Sequence, residues 1–154
     1  FWKKAGVYAG FIIGTLLVGG LAGFLIRDSM ETYASLNQPP LSPPGKVFPI
    51  VWGLLYLLMG IGAARVFLTG KNGRRFALAL YGVQLFFNFC WSLIFFNARM
   101  YLAAFLWLIA LWALIAMMVY AFWKLDRPAG LLQIPYLLWV AFAGYLNCAV
   151  WLLN

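Results

Sequence analysis

Residues 101–123 read YLAAFLWLIALWALIAMMVYAFW, and no charged side chain interrupts them. A helix rises about 1.5 Å per residue, so roughly 20 apolar residues cross the ~30 Å hydrocarbon layer of a bilayer. Backbone polar groups in lipid must be satisfied internally, which leaves helices and closed barrels. A barrel strand would alternate polar and apolar residues over about 10 positions, and this run does not. It is therefore expected to be a membrane-spanning helix.

Outward from this run the same pattern recurs over 5–26, 47–68, 76–96 and 131–153. The chain has 154 residues, of which 66% are hydrophobic and 9% charged, too few polar groups to cover a soluble domain. Arg65 lies near a run's end, where its stem can carry the charge to the headgroups. Lys3 and Lys4 precede the first run as in a signal peptide, but Arg27 and Asp28 close it and no small-residue cleavage site follows. The expectation is an all-α integral membrane protein. It is a single five-helix transmembrane domain over 1–154, with residues 27–46 as a long proline-rich first loop.

The net charge of +8 follows topology. With the N-terminus on one side, that side carries Lys3, Lys4, Arg65, Lys71, Arg74, Arg75, Lys124 and Arg127. The other side carries Arg27, Lys46 and Arg99. The excess of cations predicts a cytoplasmic N-terminus, and no nucleic-acid partner is expected.

Chemistry is sparse inside the spans. The chain has no His, and Asp28, Glu31 and Asp126 all fall outside the runs. No catalytic carboxylate pair, triad or ion-coupling group is therefore available in the membrane. Cys90 and Cys148 read as packing residues, and without His they offer no metal site.

Spacing picks out faces. Gly6, Gly10 and Gly14 form a ladder at steps of four, and Gly19 and Gly23 repeat it. Such a face allows another helix to approach closely, in the bundle or in an oligomer. Gln84, Asn88, Trp91, Ser92 and Phe95 share one face of the third run, which must point into the bundle. Gln84 and Asn88 either bond neighbouring helices or line a ligand cavity. Trp52, Tyr56 and Gly60 step along the second run, and Tyr136, Trp139, Ala143 and Asn147 along the fifth. Trp2, Trp123 and Trp151 lie near span ends, where the interfacial belt accounts for them. Trp52, Trp91 and Trp139 lie deeper and share faces with polar groups. Together they would form an aromatic box for a flat ligand with a few polar edges.

Three stretches carry a resemblance: PPLSPPGKVFPIVWGLLYLLMG, YGVQLFFNFCWSLIFF, and IPYLLWVAFAGYLN followed by VW. In this order and spacing they resemble the tryptophan-rich sensory protein/translocator protein family, from about Tyr33 to the C-terminus. The resemblance implies a five-helix bundle, commonly a homodimer, whose pocket opens beneath the first loop and binds porphyrins, haem and aromatic drug-like ligands. It implies a pocket lined by Trp52, Asn88, Trp91, Trp139 and Ala143, with Tyr33 reaching over it from the loop. Tyr56, Gln84 and Asn147 join these through their shared faces. No cofactor is required; a porphyrin or haem is the ligand. The family's dimer contact implies Ala77, Ala79 and Gly82. Catalysis, if any, would be light- and oxygen-dependent porphyrin breakdown beside Trp52 and Trp139. A dimeric scaffold without a small-molecule role is the remaining alternative.

The chain departs from the family pattern at Leu41, where a Trp often precedes the second Pro-Pro pair. It also departs at Cys148, Ala149 and Leu152, where the cholesterol motif of animal members needs Tyr and Arg. High-affinity cholesterol binding is not expected, although Leu114, Tyr120 and Lys124 match a loose form of that motif. A bacterial member is the better fit.

The stretch LNQPPLSPPGKVFPIVW, residues 36–52, holds five of the seven prolines. Each fixes φ and restricts the residue before it. Pro39, Pro40, Leu41, Pro43 and Pro44 are therefore expected to form a stiff lid over the aromatic box.

Overall fold

A computed structural model describes residues 2–154. Helix α1 (Trp2–Ile26) passes through a 3₁₀ turn (Arg27–Ser29) into a short α2 (Met30–Ala34). Then follow α3 (Val47–Leu68), α4 (Arg74–Ser92) with a π-helical turn at its end (Leu93–Asn97), α5 (Tyr101–Leu125), α6 (Arg127–Leu132) and α7 (Ile134–Leu153). These form five stretches long and apolar enough to cross a membrane: Trp2–Ala34, Val47–Leu68, Arg74–Asn97, Tyr101–Leu125 and Arg127–Leu153. The described residues contain no strand. The all-helical, five-span architecture is the one the apolar runs require.

The first loop is shorter than the 27–46 expected, because helical structure continues to Ala34. No glycine or proline lies between Gly23 and Pro39 to stop it. The strap proper is residues 35–46. Its carbonyls serve the next helix: Pro44 accepts from Val47 N–H at 2.9 Å and Gly45 from Phe48 N–H at 3.3 Å. Two of the orphan donors at the start of α3 are thereby satisfied, and Pro49 follows in the first turn, where a missing N–H costs least.

The core forms where α5 packs on α4, α6 and α7 and where α3 meets α4 and α6, with Met59, Ala63, Val66, Ala104, Ile115, Met118 and Phe122 fully buried. Helix α1 lies outside this core and leans on α3. Gly60 makes that approach possible, since a Cβ there would stand 2.7 Å from Ile12 Cα. The ladder of Gly6, Gly10 and Gly14 is not the packing surface: a Cβ at any of them would meet nothing within 4 Å. The small-residue approaches between α1 and α3 are made at Gly60 of α3 and at Gly19 of α1, which faces the Tyr56 ring, and the ladder of Gly6, Gly10 and Gly14 faces outward. Ala77, expected at a dimer contact, is not on the surface either. It is fully buried within the chain, so it cannot meet a second copy, whereas Ala79 and Gly82 are exposed.

At the end opposite the strap, Arg65 Nε donates to Asp126 Oδ2 at 2.7 Å, and Asp126 Oδ2 also accepts from Ala129 N–H at 3.1 Å. Asp126 therefore caps α6 while binding α3 to it. Lys71 Nζ donates to Leu125 O nearby, at 2.8 Å.

Candidate functional site

Toward the strap end a cavity of about 510 Å³ opens between α1, α2, α3, the end of α4, and α7. Tyr33, Trp52, Tyr56, Trp91, Trp139, Ala143 and Asn147 all reach its wall. Trp52 and Trp139 meet at a right angle, ring centroids 6.5 Å apart with an interplanar angle of 87°. Trp52 also stacks on Tyr56 at 5.6 Å, and Phe48 lies edge-on to Trp139 at 6.1 Å. These contacts fix an aromatic corner between α3 and α7.

Another face is built from α4. Trp91 stacks on Phe95, 5.4 Å between centroids, and its indole N–H donates to Asn147 Oδ1 at 3.0 Å. Asn147 in turn donates to Tyr101 O at 2.8 Å, so its amide serves as a bracket for the indole. The π-helical turn matters here, closing with Ala98 N–H to Leu93 O at 2.9 Å. Its extra residue per turn lets the adjacent Phe95 and Phe96 both face the cavity. Both pack on Tyr33, at 5.7 and 5.3 Å.

Gln84 and Asn88 do not reach the cavity wall. They lie behind it, 0% and 1% exposed, in a hydrogen-bonded chain. Tyr56 Oη donates to Asn88 Oδ1 at 3.2 Å, Asn88 Nδ2 donates to Tyr136 Oη at 2.7 Å, and Tyr136 Oη donates to Gln84 Oε1 at 2.7 Å. Polar atoms in a water-free interior are costly unless paired, and each finds its partner on another helix. Of the alternatives open in the sequence, Gln84 and Asn88 take the one that bonds neighbouring helices. They support the wall through Tyr56 and through Tyr136, whose ring lies 6.2 Å from Trp52.

The strap does not form the cavity ceiling either. None of Pro39, Pro40, Leu41, Pro43 and Pro44 lines it, and Leu41 is 81% exposed. The ceiling is α2, which presents Met30 and Tyr33. The prolines act one step back. Tyr145 Oη donates to Pro40 O at 2.7 Å, Gln38 Nε2 to Tyr33 O at 2.7 Å, and Asn154 Nδ2 to Asn37 O at 3.1 Å. The strap thereby ties α2 down onto α7.

Sequence reasoning also missed Arg27, Met30, Phe48, Phe96 and the wall formed by Gly19, Gly20 and Gly23. Gly19 meets the ring of Tyr56, while Gly20 and Gly23 meet nothing within 4 Å and leave open volume instead of side chains. The signal was the Gly19–Gly23 spacing, which reads equally well as a helix-packing face. The described residues include no group of His, Cys, Asp and Glu able to hold a metal ion.

The arrangement suits binding more than acid-base chemistry: apolar and aromatic walls, amides committed to structure, and no carboxylate. Comparison with known proteins agrees with the fold. The TspO/MBR family is matched over residues 11–152. The chain is 38% identical over 146 residues to the tryptophan-rich protein TspO of Chlorobaculum tepidum, covering 92% of each chain. It is 40% identical over 132 residues to the tryptophan-rich sensory protein of Cereibacter sphaeroides, covering 86% of this chain and 82% of that one. It is 37% identical over 147 residues to the translocator protein of Ovis aries, covering 90% and 87%.

Proposed function

The chain belongs to the TspO/MBR family, an integral membrane protein, and we propose that it is a receptor or sensor for porphyrins or related tetrapyrroles. The observation that carries this reading is the right-angled corner of Trp52 and Trp139 facing a cavity that also holds Trp91. A flat conjugated ring gains by lying against one indole face while its edge meets the other. The volume of about 510 Å³ lies within the ~300–1,000 Å³ typical of small-molecule sites. The indole N–H of Trp139 has no acceptor among the described residues, so a ligand acceptor placed beside it would satisfy a buried donor. Gln84 and Asn88 hold the aromatic wall in place and do not contact the ligand.

The test is a titration with protoporphyrin IX, read by quenching of the intrinsic tryptophan fluorescence. Saturable quenching is expected, weakened at least tenfold in a W52F/W139F double variant. Non-saturable quenching, or equal quenching of the double variant, overturns the reading. For self-association, we propose that a second copy packs on the exposed small residues Ala79 and Gly82 of α4.

A further inference from the structure

Among the described residues, Arg27 is the one charged side chain in the cavity lining. The rest of that lining is apolar, aromatic or neutral polar, and no acid belongs to it. Arg27 sits in the 3₁₀ turn where α1 gives way to α2, beside Met30 of the ceiling. Its side chain is 55% exposed, so Arg27 lies at the rim of the lining and not in the cavity interior.

The head is held there by local contacts. Nη1 donates to Phe24 O at 2.6 Å, and the guanidinium carbon lies 3.8 Å over the Phe24 ring. Satisfying a carbonyl at a helix end is an ordinary duty for an arginine. It uses one of the five N–H donors the group carries; Phe24 is itself outside the lining, so an anion at the rim would draw the head off that ring. The Asp28 carboxylate is 4.0 Å from Nε but 91% exposed, so water screens that pair. Arg99 is on the same end, donating to Thr32 Oγ1 at 3.5 Å, and is outside the lining.

We propose that Arg27 reads an anionic edge on the ligand, so that the site selects planar aromatic carboxylates over neutral aromatics of the same shape. This rests on the aromatic-cavity reading above and adds the ligand's charge class. The physical reason is a division of the ligand along its length. The conjugated face is desolvated among the indoles, where charge would be costly. The carboxylate stays at the rim, partly hydrated, where a planar guanidinium matches it in a bidentate pair.

The experiment compares protoporphyrin IX, which carries free propionates, with its dimethyl ester, binding each to wild type, R27Q and R27K in neutral detergent. The ratio of variant to wild-type affinity is taken for each ligand, so that partition into detergent cancels. R27Q is expected to weaken the acid roughly threefold to tenfold more than the ester, the size of a partly exposed charge pair. R27K, which keeps charge without the fork, is expected to fall between. Equal loss for both ligands, or no change for the acid, overturns the role of Arg27 and leaves the aromatic cavity standing. If neither porphyrin binds wild type, the cavity reading fails first.

Discussion

Tyr136 stands between the aromatic corner and Gln84: its hydroxyl donates to Gln84 Oε1 at 2.7 Å, while its ring meets that of Trp52 at 72°, 6.2 Å between centroids. The residue is 1% exposed. A change behind the wall should therefore reach the wall. In Tyr136→Phe the amide of Asn88 loses its acceptor and Gln84 Oε1 loses its donor, both buried. An unpaired buried polar group costs about 1–3 kcal/mol, less where the amides find each other. The expected result is a lower Tm together with weaker porphyrin quenching, although Tyr136 itself is outside the cavity lining. An unchanged Tm with unchanged quenching would show that the chain of hydrogen bonds does not support the wall.

Gly60 and Gly14 are matched opposites. A methyl at Gly60 would press on the backbone of Ile12, whereas one at Gly14 would meet nothing. Gly60→Ala should force α1 away from α3 at about 1–3 kcal/mol, the usual cost of overpacking. Gly14→Ala should leave the Tm unchanged or slightly raised, since alanine is the better helix former. Thermal unfolding of the two variants side by side measures the difference. A stable Gly60→Ala protein would mean that α1 is not seated through Gly60.

Val47–Leu68 was legible because an apolar run in lipid has no alternative to a helix. Trp52 and Trp139 were legible because their spacing placed each on a face with polar neighbours. Gln84 and Asn88 were legible only as inward-facing. Whether an inward amide bonds a ligand or a tyrosine depends on what lies across from it, and Tyr136 is 48 positions from Asn88 in the chain. Arg27 and Met30 were hidden for another reason. They enter the site because helix continues past Ile26 and folds α2 over the cavity, and nothing in their own spacing signals that turn.

Asp126 supplies a pH signature remote from the site. The Arg65 guanidinium beside it, and then the N–H of Ala129, hold its carboxyl below the ordinary carboxylate range. A carboxyl with a lowered folded pKa contributes stability above its unfolded pKa and loses it as pH falls through the folded value. Asp126→Asn should therefore be less stable than wild type near neutrality, by about 1 kcal/mol for a partly exposed pair. The gap should close as pH drops below the ordinary carboxylate range. Thermal unfolding of both proteins across pH reads this directly, and a gap that persists in acid would assign the loss to geometry instead of charge.

Gly82 tests the partner surface without disturbing the protomer. A Cβ at Gly82 meets nothing within 4 Å, and its neighbours on the exposed face of α4 include Phe76, Val83 and Phe86. Gly82→Leu should therefore fold with a Tm close to wild type. If α4 carries the self-contact, the added side chain separates the backbones that small residues allow to approach, and the protein should shift from dimer to monomer in light scattering of the detergent complex. Gly10→Leu on the outward ladder of α1 is the matched control, equally open in the protomer, and should keep the wild-type oligomeric state. The reverse outcome, with Gly10→Leu monomeric and Gly82→Leu unchanged, would move the contact to α1. It would also place a second copy beside the helix that contributes Gly19, Gly20 and Gly23 to the cavity and leads into the turn carrying Arg27, so that dimerisation and ligand access would then share one helix.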